Sequence, residues 1–245
     1  MKVAAVIPAR YGSKRLPGKP LRMLGGKTII QRVYERVIKA RSVRLCMVAT
    51  DDERIYREAE AFGALAVMTS PELNSGSERV AEAIERSRAE VELVVNVQGD
   101  EPFIPPELID EVVAPMLRDA GMEVCTAKVR IGEPEYVNDP NVVKVVTDPQ
   151  GWALYFSRSA IPYYRDDAAE AAEQVHYKHI GIYAYRLPAL RRFVRWEPTP
   201  LERAEKLEQL RFLEHGVGIY VVETPHDSLG IDTEDDLKRA EKFGF

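Results

Sequence analysis

The sequence is poor in cysteine and has no long apolar run. Its 245 residues include only two cysteines, Cys46 and Cys125, each inside an apolar segment, so we expect buried thiols in a reducing cytoplasm. No stretch approaches the ~20 apolar residues of a membrane span, and the run 3–7 is too short for the core of a signal peptide. With 45% apolar residues, the chain can nevertheless bury a sizeable core. These features predict a cytoplasmic, folded protein without membrane insertion.

Acidic residues are missing from the first 34 positions, which hold eight Lys or Arg. The other 211 residues hold 26 basic and 39 acidic groups, so the net charge of −5 divides into +8 and −13. A basic terminus is often an arm that binds nucleic acid. Here the cations alternate with Pro, Gly and apolar residues and lack interleaved aromatics, and the rest of the chain is acidic. We therefore expect no nucleic-acid partner.

Apolar strands alternate with amphipathic helices through the first half of the chain. We predict strands at 2–7, 43–49, 64–68 and 92–97, and helices at 28–40, 52–62, 77–88 and 106–118. Pro8 is expected to end the first strand, and Thr50 with Glu53 has the spacing of a capping box for the second helix. Strands that are apolar throughout indicate a parallel sheet between two layers of helices.

The pattern changes after Gly121, where strands follow one another with little helix between them. We predict strands at 123–130, 142–147, 152–157 and 177–185, with a hairpin turn at 148–151. They indicate a smaller, mostly antiparallel, β-rich subdomain at about 123–186 within a single domain spanning 1–245. Helices are predicted again at 187–195, 201–215 and 233–243, with a strand at 218–223. On the second of these helices, Glu202 and Lys206 have the spacing of a solvated ion pair.

The loop after the first strand reads PARYGSKRLPGKPL, residues 8–21. In open parallel sheets, ligands bind beyond the carboxyl ends of the strands, which is where this loop lies. It places four cations within ten residues, and its glycines expose backbone N–H groups, a combination that suits a triphosphate. The cations are Arg10, Lys14, Arg15 and Lys19. The loop does not match a Walker A motif, since Pro20 stands where Ser or Thr would hold Mg²⁺. The other common phosphate-binding motif, G-x-G-x-x-G, follows none of the predicted strands.

This loop resembles the signature of the 3-deoxy-manno-octulosonate (Kdo) cytidylyltransferases, the CMP-Kdo synthetase family. The resemblance continues along nearly the whole chain, in order, through ATDD (49–52), SGSER (75–79), NVQGDEP (96–102), NVVKVV (141–146), ALYFSR (153–158), HIGIYAYR (179–186), LEQLR (207–211) and GIDTEDDL (230–237). It departs from the family at Gly12, Lys14 and the stretch 166–174.

The resemblance implies an α/β fold: a Rossmann-like nucleotidyltransferase core with a mostly parallel sheet, plus the smaller antiparallel subdomain. It implies CMP transfer from CTP to the anomeric hydroxyl of Kdo, with release of pyrophosphate, for lipopolysaccharide biosynthesis. It further implies Mg²⁺ as the cofactor and a homodimer formed through the segment 123–186. The sequence leaves open whether the acceptor is Kdo, 8-amino-Kdo or another keto-acid sugar. The number of metal ions and the base that takes the hydroxyl proton are open as well.

Residue roles on the nucleotide side also follow from the resemblance. Asp100 and Asp232 are expected to hold Mg²⁺, with Glu101 as the alternative ligand beside Asp100. Thr233 and Asp236 have capping-box spacing, which frees Asp232 from capping the last helix. The catalytic residues implied are Lys19, Asp100 and Asp232. The nucleotide-binding residues implied are Arg10, Arg15, Lys19, Ser75, Gly76, Arg79 and Gln98, whereas Lys14 and Arg22 are expected to be bystanders.

For the acidic sugar, the two-residue period of the strand 177–185 places alternate side chains on one face. That face presents Tyr177, His179, Gly181, Tyr183 and Tyr185. Packing in the core is the alternative role for Tyr183 and Tyr185. The resemblance implies that the sugar is bound by Arg158, as a clamp on its carboxylate, and by His179, Tyr183, Glu208 and Gln209.

Overall fold

A computed structural model describes residues 2–13, 15–165 and 175–242. The predicted features on Lys14, on the stretch 166–174 and on Phe243 lie outside the described residues. The strands are β1 Val3–Ala9, β2 Met23–Leu24, β3 Lys27–Thr28, β4 Leu45–Thr50, β5 Leu65–Met68, β6 Leu93–Asn96, β7 Val124–Arg130, β8 Lys144–Thr147, β9 Ala153–Ser157, β10 Tyr177–Arg186 and β11 Ile219–Glu223. The helices are α1 Ile29–Val37, α2 Glu53–Ala61, α3 Gly76–Ser87, α4 Pro106–Arg118, α5 Glu135–Asn138, α6 Leu187–Phe193, α7 Pro200–Glu205, α8 Leu210–Glu214 and α9 Glu234–Lys242.

One large sheet has the strand order β11-β7-β10-β6-β1-β4-β5, and the hairpin of β8 and β9 pairs with β10. The neighbours β6–β1, β1–β4, β4–β5 and β7–β11 are parallel. The segment 123–186 supplies the antiparallel part, since β10 runs opposite to β6, β7 and β8. A separate small antiparallel sheet is formed by β2 and β3. The predicted α/β class with a mostly parallel core is confirmed.

The central strand β1 is buried on both faces, as the apolar pattern predicts. Val3, Ala5 and Ile7 pack into one core cluster together with buried side chains of α1 and α4. Ala4 and Val6 point the other way, into a second cluster that includes residues of α3. Helices therefore cover both faces of the sheet, and the carboxyl ends of its parallel strands remain free to carry a site.

Two predictions, one about the end of the first strand and one about the cap of the second helix, were wrong. Pro8 does not end the first strand, because β1 continues to Ala9 and Pro8 pairs in register with Ala49. Strand β6 pairs with β1 only as far as Val6, so at Pro8 only one neighbouring strand needs hydrogen bonds. The capping box of Thr50 and Glu53 is also absent. Asp52 caps α2 instead, since its side chain accepts a hydrogen bond from the Arg54 backbone N–H.

The helix predicted at 201–215 is two helices, α7 and α8, separated at Lys206. Lys206 adopts a left-handed conformation with φ 55°, which terminates α7. The predicted solvated pair of Glu202 and Lys206 is also wrong. Glu202 is buried, and its carboxylate binds the guanidinium of Arg211. The break places Arg211, rather than Lys206, beside the Glu202 carboxylate.

Strand β10 contains an irregularity that shapes the site. Ile180 is paired with Ala127 and Tyr183 with Thr126, so two residues, Gly181 and Ile182, are additional on β10 at this point. The hydroxyl of Thr126, buried on β7, lies 2.7 Å from the Ile182 carbonyl oxygen and donates to it. Because two residues are inserted, the alternation of faces predicted for β10 is preserved across the bulge.

Candidate active site

Two cavities adjoin at the carboxyl ends of the parallel strands. The larger cavity, of about 490 Å³, is bounded by the loop after β1, the start of α3 and the residues after β6. The smaller cavity, of about 230 Å³, is bounded by β10, the start of α3 and the turn between α7 and α8. Gly76, Gln98 and Glu208 line both. A ligand in one cavity is therefore next to a ligand in the other.

The loop after β1 is fastened so that its cations face the larger cavity. Leu16 is buried at its centre, and Gly18 adopts a φ of 67°, which a side chain would strain. A 3-10 turn at Lys19–Leu21 follows. The predicted cations Arg10, Arg15 and Lys19 all line the larger cavity, as do Ser75, Gly76, Arg79 and Gln98. All the residues predicted on the nucleotide side are thus brought together.

Lys19 connects the two predicted metal ligands. Its Nζ lies 2.6 Å from Asp100 Oδ2 and 3.0 Å from Asp232 Oδ1, and only 14% of its side chain is exposed. Burial by itself lowers the pKa of Lys19, but the charge and hydrogen bonds of Asp100 and Asp232 outweigh it and raise the pKa. Arg15 Nη2 adds a contact of 2.9 Å to Asp232 Oδ2. Two carboxylates thus converge beside the cationic loop.

The position of Asp232 follows from its neighbours. The carboxylate of Asp236 accepts from the Thr233 backbone N–H at 2.9 Å and the Thr233 hydroxyl accepts from the Asp236 N–H at 3.1 Å, which confirms the predicted capping box. The N–H of Ile231 donates to the Asp100 carbonyl oxygen at 2.8 Å, which holds Asp232 close to Asp100. Asp232 is therefore free to face the cavity.

Glu101, the alternative ligand, does not line either cavity. Its Oε2 accepts a hydrogen bond from the Ser228 hydroxyl at 2.9 Å. Burial raises the pKa of Glu101 to about 7. Of the two neighbouring carboxylates, Asp100 is the one that faces the larger cavity.

Gly99 permits a close approach of backbone at this point. A Cβ on Gly99 would lie 2.7 Å from the Pro8 carbonyl oxygen, closer than any van der Waals contact allows. Only glycine therefore lets the ends of β1 and β6 lie side by side. This approach places Asp100 opposite the cationic loop that follows β1.

Arg79 is buried and is held in place by two polar side chains. Its Nη1 lies 2.5 Å from Thr69 Oγ1, and its Nη2 lies 3.1 Å from Asp51 Oδ2. Ser75 caps α3 by accepting from the Glu78 N–H. Arg79 therefore presents a rigid positive charge in the wall of the larger cavity.

Asp100 and Asp232 fit a magnesium ion by their chemistry. Carboxylate oxygens are the ligands that Mg²⁺ prefers, and the ion is commonly bound by one or two carboxylates together with substrate phosphates and water. Among the residues that the structure describes, no cluster of three or more His, Cys, Asp or Glu side chains could hold a metal by itself. The two carboxylates suit an ion that shares its coordination with a bound phosphate.

The smaller cavity contains buried polar atoms that lack partners. Within the described ranges, Asn96 Oδ1, Tyr183 Oη and Gln209 Nε2 have no hydrogen-bond partner, and all three residues line the cavity. Their exposed fractions are only 2%, 8% and 7%, respectively. Leaving a buried polar atom unpaired costs about 1–3 kcal/mol. Three such atoms around one cavity indicate a ligand rich in hydroxyl groups.

Glu208 lies where the two cavities meet. Its Oε2 accepts from the Ser77 hydroxyl at 3.0 Å. Burial raises the pKa of Glu208, although the hydrogen bond from Ser77 acts in the opposite direction. Tyr183 and Tyr185 are buried against each other, with ring centroids 5.6 Å apart, and both line the smaller cavity. They serve both in the core and in the cavity wall.

His179 is a neutral base in this wall. Its Nε2 lies 3.0 Å from Thr126 Oγ1. The single hydroxyl proton of Thr126 is given to the Ile182 carbonyl, so Nε2–H is the donor to Thr126 and Nδ1 is left as an acceptor. Burial lowers the pKa of His179 to about 3. The imidazole therefore stays uncharged at neutral pH.

The neutral His179 makes stability depend on pH. The unfolded chain binds a proton at His179 below pH ~6.5, whereas the folded chain binds none until about pH 3, so stability is lost as the pH falls through this window. For His179→Asn, which cannot titrate, we expect the loss in unfolding free energy between pH 7 and pH 5 to be about 2 kcal/mol smaller than for the wild type. Urea denaturation at both pH values measures the difference. Equal losses in the two proteins would contradict it.

The structure does not place Arg158, the residue predicted to clamp the sugar carboxylate, in the lining of either cavity. Its Nε donates to the Glu205 carbonyl oxygen at 2.8 Å, and its Nη1 donates to that of Pro140 at 2.8 Å. The guanidinium thus binds backbone carbonyls beside the end of α7. His179, Tyr183, Glu208 and Gln209, the other residues predicted to bind the sugar, all line the smaller cavity.

Three residues of the site were missed from the sequence. Asn96 is buried at the end of β6, Ser77 holds Glu208, and Asp51 holds Arg79. Asn96 carries a usable signal, since it is an amide within the apolar run LVVNV. Ser77 and Asp51 act through other side chains, and their neighbours in the sequence do not reveal those contacts.

A cationic loop and two carboxylates at the carboxyl ends of a parallel sheet, beside a polar second cavity, are the groups that a nucleotidyltransferase needs for its triphosphate, its metal ion and its acceptor. Residues 4–223 match the sequence profile of the cytidylyltransferase family. A 3-deoxy-manno-octulosonate cytidylyltransferase of Idiomarina loihiensis is 51% identical over 99% of this chain and 98% of its own length. The enzyme of the same name from Geobacter metallireducens is 49% identical over 98% and 96%.

A solved structure agrees with these relatives. CMP:2-keto-3-deoxy-manno-octonic acid synthetase, in complex with CTP, superposes with a TM-score of 0.93 at 39% identity, covering 99% of this chain and 98% of that one. A 4-diphosphocytidyl-2C-methyl-D-erythritol synthase from Anaerococcus prevotii, 14% identical with a TM-score of 0.65, shares the fold alone. This chain belongs to the cytidylyltransferase family and, within it, to the 3-deoxy-manno-octulosonate cytidylyltransferases.

Proposed function

We propose that this protein transfers CMP from CTP to the anomeric hydroxyl of Kdo, forming CMP-Kdo and pyrophosphate for lipopolysaccharide biosynthesis. The observation that carries the proposal is the adjacency of the two cavities. The larger one is lined by Arg10, Arg15 and Lys19, which suit a triphosphate, and the smaller one by three unpartnered polar atoms, which suit a sugar. The attacking hydroxyl and the α-phosphorus would meet near Gln98 and Glu208, which line both.

In this reaction a bond forms between the sugar oxygen and the α-phosphorus, and the bond from the α-phosphorus to the bridging oxygen breaks. The hydroxyl proton is released, and pyrophosphate leaves with the negative charge. Lys19 and Arg15 lie where that charge develops, and cations placed there in advance lower the barrier. His179 lines the smaller cavity as a neutral imidazole, so its Nδ1 would accept a hydrogen bond from the acidic sugar without adding charge.

Magnesium is the proposed cofactor, held by Asp100 and Asp232. When bound, the ion would neutralise phosphate charge and orient the reacting oxygens. Lys19 already binds both carboxylates, so the chain places its own cation and its two metal ligands around one point. This arrangement concentrates positive charge at the phosphates rather than along the whole loop.

We further propose a cytoplasmic homodimer formed through the segment 123–186. Leu154 and Tyr163 in this segment are exposed by 62% and 86%, and apolar side chains so exposed favour a protein contact. Light scattering at micromolar concentration should give twice the monomer mass, and a monomer would reject the dimer.

The cytoplasmic location is proposed from the two cysteines. Cys46 and Cys125 are free thiols, as a reducing compartment favours. Among the described residues, no helix is long and apolar enough to cross a membrane.

A pyrophosphate-release assay tests the proposed reaction. With CTP and Mg²⁺, we expect Kdo to support turnover, and sialic acid to support at least ~10²-fold less, because a cavity built for one set of hydroxyls leaves polar atoms unpaired with another. 8-Amino-Kdo is run beside them, and UTP and ATP replace CTP in parallel reactions. Binding of CTP and Kdo without pyrophosphate release would overturn the proposal.

A further inference from the structure

The turn between α7 and α8 forms one wall of the smaller cavity. Its residues, Lys206, Leu207, Glu208 and Gln209, all line that cavity. The turn begins at Lys206, whose left-handed φ of 55° is unfavourable for a residue with a side chain. A turn of this kind keeps one conformation only when the surrounding structure holds it.

A buried ion pair joins the helices on the two sides of this turn. Glu202 on α7 is 8% exposed and Arg211 on α8 is 4% exposed. Arg211 Nε donates to Glu202 Oε2 at 2.7 Å, and Arg211 Nη2 donates to Glu202 Oε1 at 2.5 Å. Such a bidentate pair fixes both the distance and the orientation of the two side chains. The helices therefore cannot slide past each other without breaking it.

The same pair is anchored to the residues around it. Glu202 Oε2 also accepts from the Thr199 backbone N–H at 3.2 Å, at the start of α7. Arg211 Nη1 donates to the carbonyl oxygens of Phe193, the last residue of α6, and of Trp196, at 3.3 and 3.1 Å. The guanidinium carbon lies 4.3 Å from the centre of the Phe193 ring, and Phe193 itself lines the smaller cavity. The pair thus connects the start of α7 and the end of α6 to α8, and Phe193 on α6 and Phe212 on α8 line the cavity.

Stability alone does not account for this arrangement. Removing two charges from water costs about as much as their attraction returns, and apolar residues of similar volume often stabilise a core as well or better. What a bidentate ion pair supplies beyond apolar packing is a defined direction and distance.

We propose that Glu202 and Arg211 are positioning residues for the acceptor sugar: they fix α7 against α8, so that the turn presents Glu208 and Gln209 to the smaller cavity. The identity of the ligand rests on the proposed function. The positioning of the turn itself rests only on the contacts above.

The test compares three proteins with the wild type. Arg211→Lys keeps the charge but loses the bidentate geometry. The double variant Glu202→Leu, Arg211→Met replaces the pair by apolar groups. Arg192→Lys is the control, because Arg192 also pairs with a glutamate: its Nη2 donates to both carboxylate oxygens of Glu123, at 2.7 and 2.8 Å, outside both cavities.

For both Glu202/Arg211 variants we expect the KM for Kdo to rise about tenfold, with the KM for CTP and kcat within about threefold and the control unchanged. The double variant should keep a Tm near that of the wild type. Hydrogen exchange of the 206–210 amides, followed without substrates, should be faster in both variants, which reports positioning independently of activity.

An unchanged KM for Kdo with unchanged exchange of the turn would overturn the proposal. Equal increases in the KM for Kdo and for CTP would also overturn it. So would a lower Tm with an unchanged KM for Kdo and unchanged exchange of the turn, both measured below the Tm of the variant, because the pair would then have a purely structural role. If the wild type does not turn over CTP and Kdo, the proposed function fails, and the exchange measurements still decide whether the pair holds the turn.

Discussion

Asp100→Asn should lower kcat about 10³-fold while the fold is retained. Asp100 Oδ2 lies 2.6 Å from Lys19 Nζ and faces the larger cavity, so the substitution removes one of the two negative charges that the proposed metal site requires. The amide has nearly the volume of the carboxylate, so packing changes little. Steady-state pyrophosphate release at saturating CTP and Mg²⁺ measures kcat, and calorimetry measures the Tm.

Asp110→Asn is the matched control for this substitution. Asp110 Oδ1 accepts hydrogen bonds from the N–H and the hydroxyl of Ser42, at 2.8 and 2.6 Å, and Asp110 lines neither cavity. Its kcat should stay within about twofold of the wild type. Near-normal kcat in the Asp100 variant with Mg²⁺ present would remove Asp100 from the metal site.

Lys19→Met should lower kcat by about 10²–10³-fold, with a smaller effect on the KM for CTP. The ammonium group of Lys19 is mostly buried beside Asp100 and Asp232, where surrounding water screens its charge weakly. Methionine keeps most of the side-chain volume but gives the departing pyrophosphate no charge. A pre-steady-state measurement of bond cleavage separates this chemical step from product release.

Lys27→Met serves as the comparison for Lys19. Lys27 belongs to the same basic segment, but its Nζ binds Glu35 at 2.7 Å and it lines neither cavity, so its turnover should match the wild type. Equal losses in the two variants would mean that the general positive charge of the segment is what matters. The specific role of Lys19 at the phosphates would then be wrong.

The sequence predicted those parts of the molecule that depend on local pattern. Helix α4 is predicted at 106–118 and lies at Pro106–Arg118, because the proline at its first position and the helical spacing of its buried side chains are both local signals. The cations of the first loop were placed correctly because a strand end determines where its loop lies. Asp100 and Asp232 were identified through the resemblance, and Lys19 connects them across 81 and 213 residues of sequence.

What the sequence could not predict depends on contacts between distant segments. The left-handed turn at Lys206 follows from no Gly or Asn signal, and Arg211 pairs with Glu202 only because the chain breaks there. Arg158 shows the same limit. Its charge favours a contact with the sugar carboxylate, whereas in the structure its N–H groups donate to the carbonyls of Pro140 and Glu205. Charge and spacing do not reveal such backbone partners.

The two additional residues on β10 limit which insertions and deletions this strand can accept in evolution. Gly181 and Ile182 shift the pairing with β7 by an even number, so His179 and Tyr183 stay on one face. Loss of one of them would turn one end of the strand over, directing either His179 or Tyr183 and Tyr185 into the opposite core. Homologous chains should therefore gain or lose residues here in pairs, and a single-residue deletion should appear only together with a rebuilt sugar cavity.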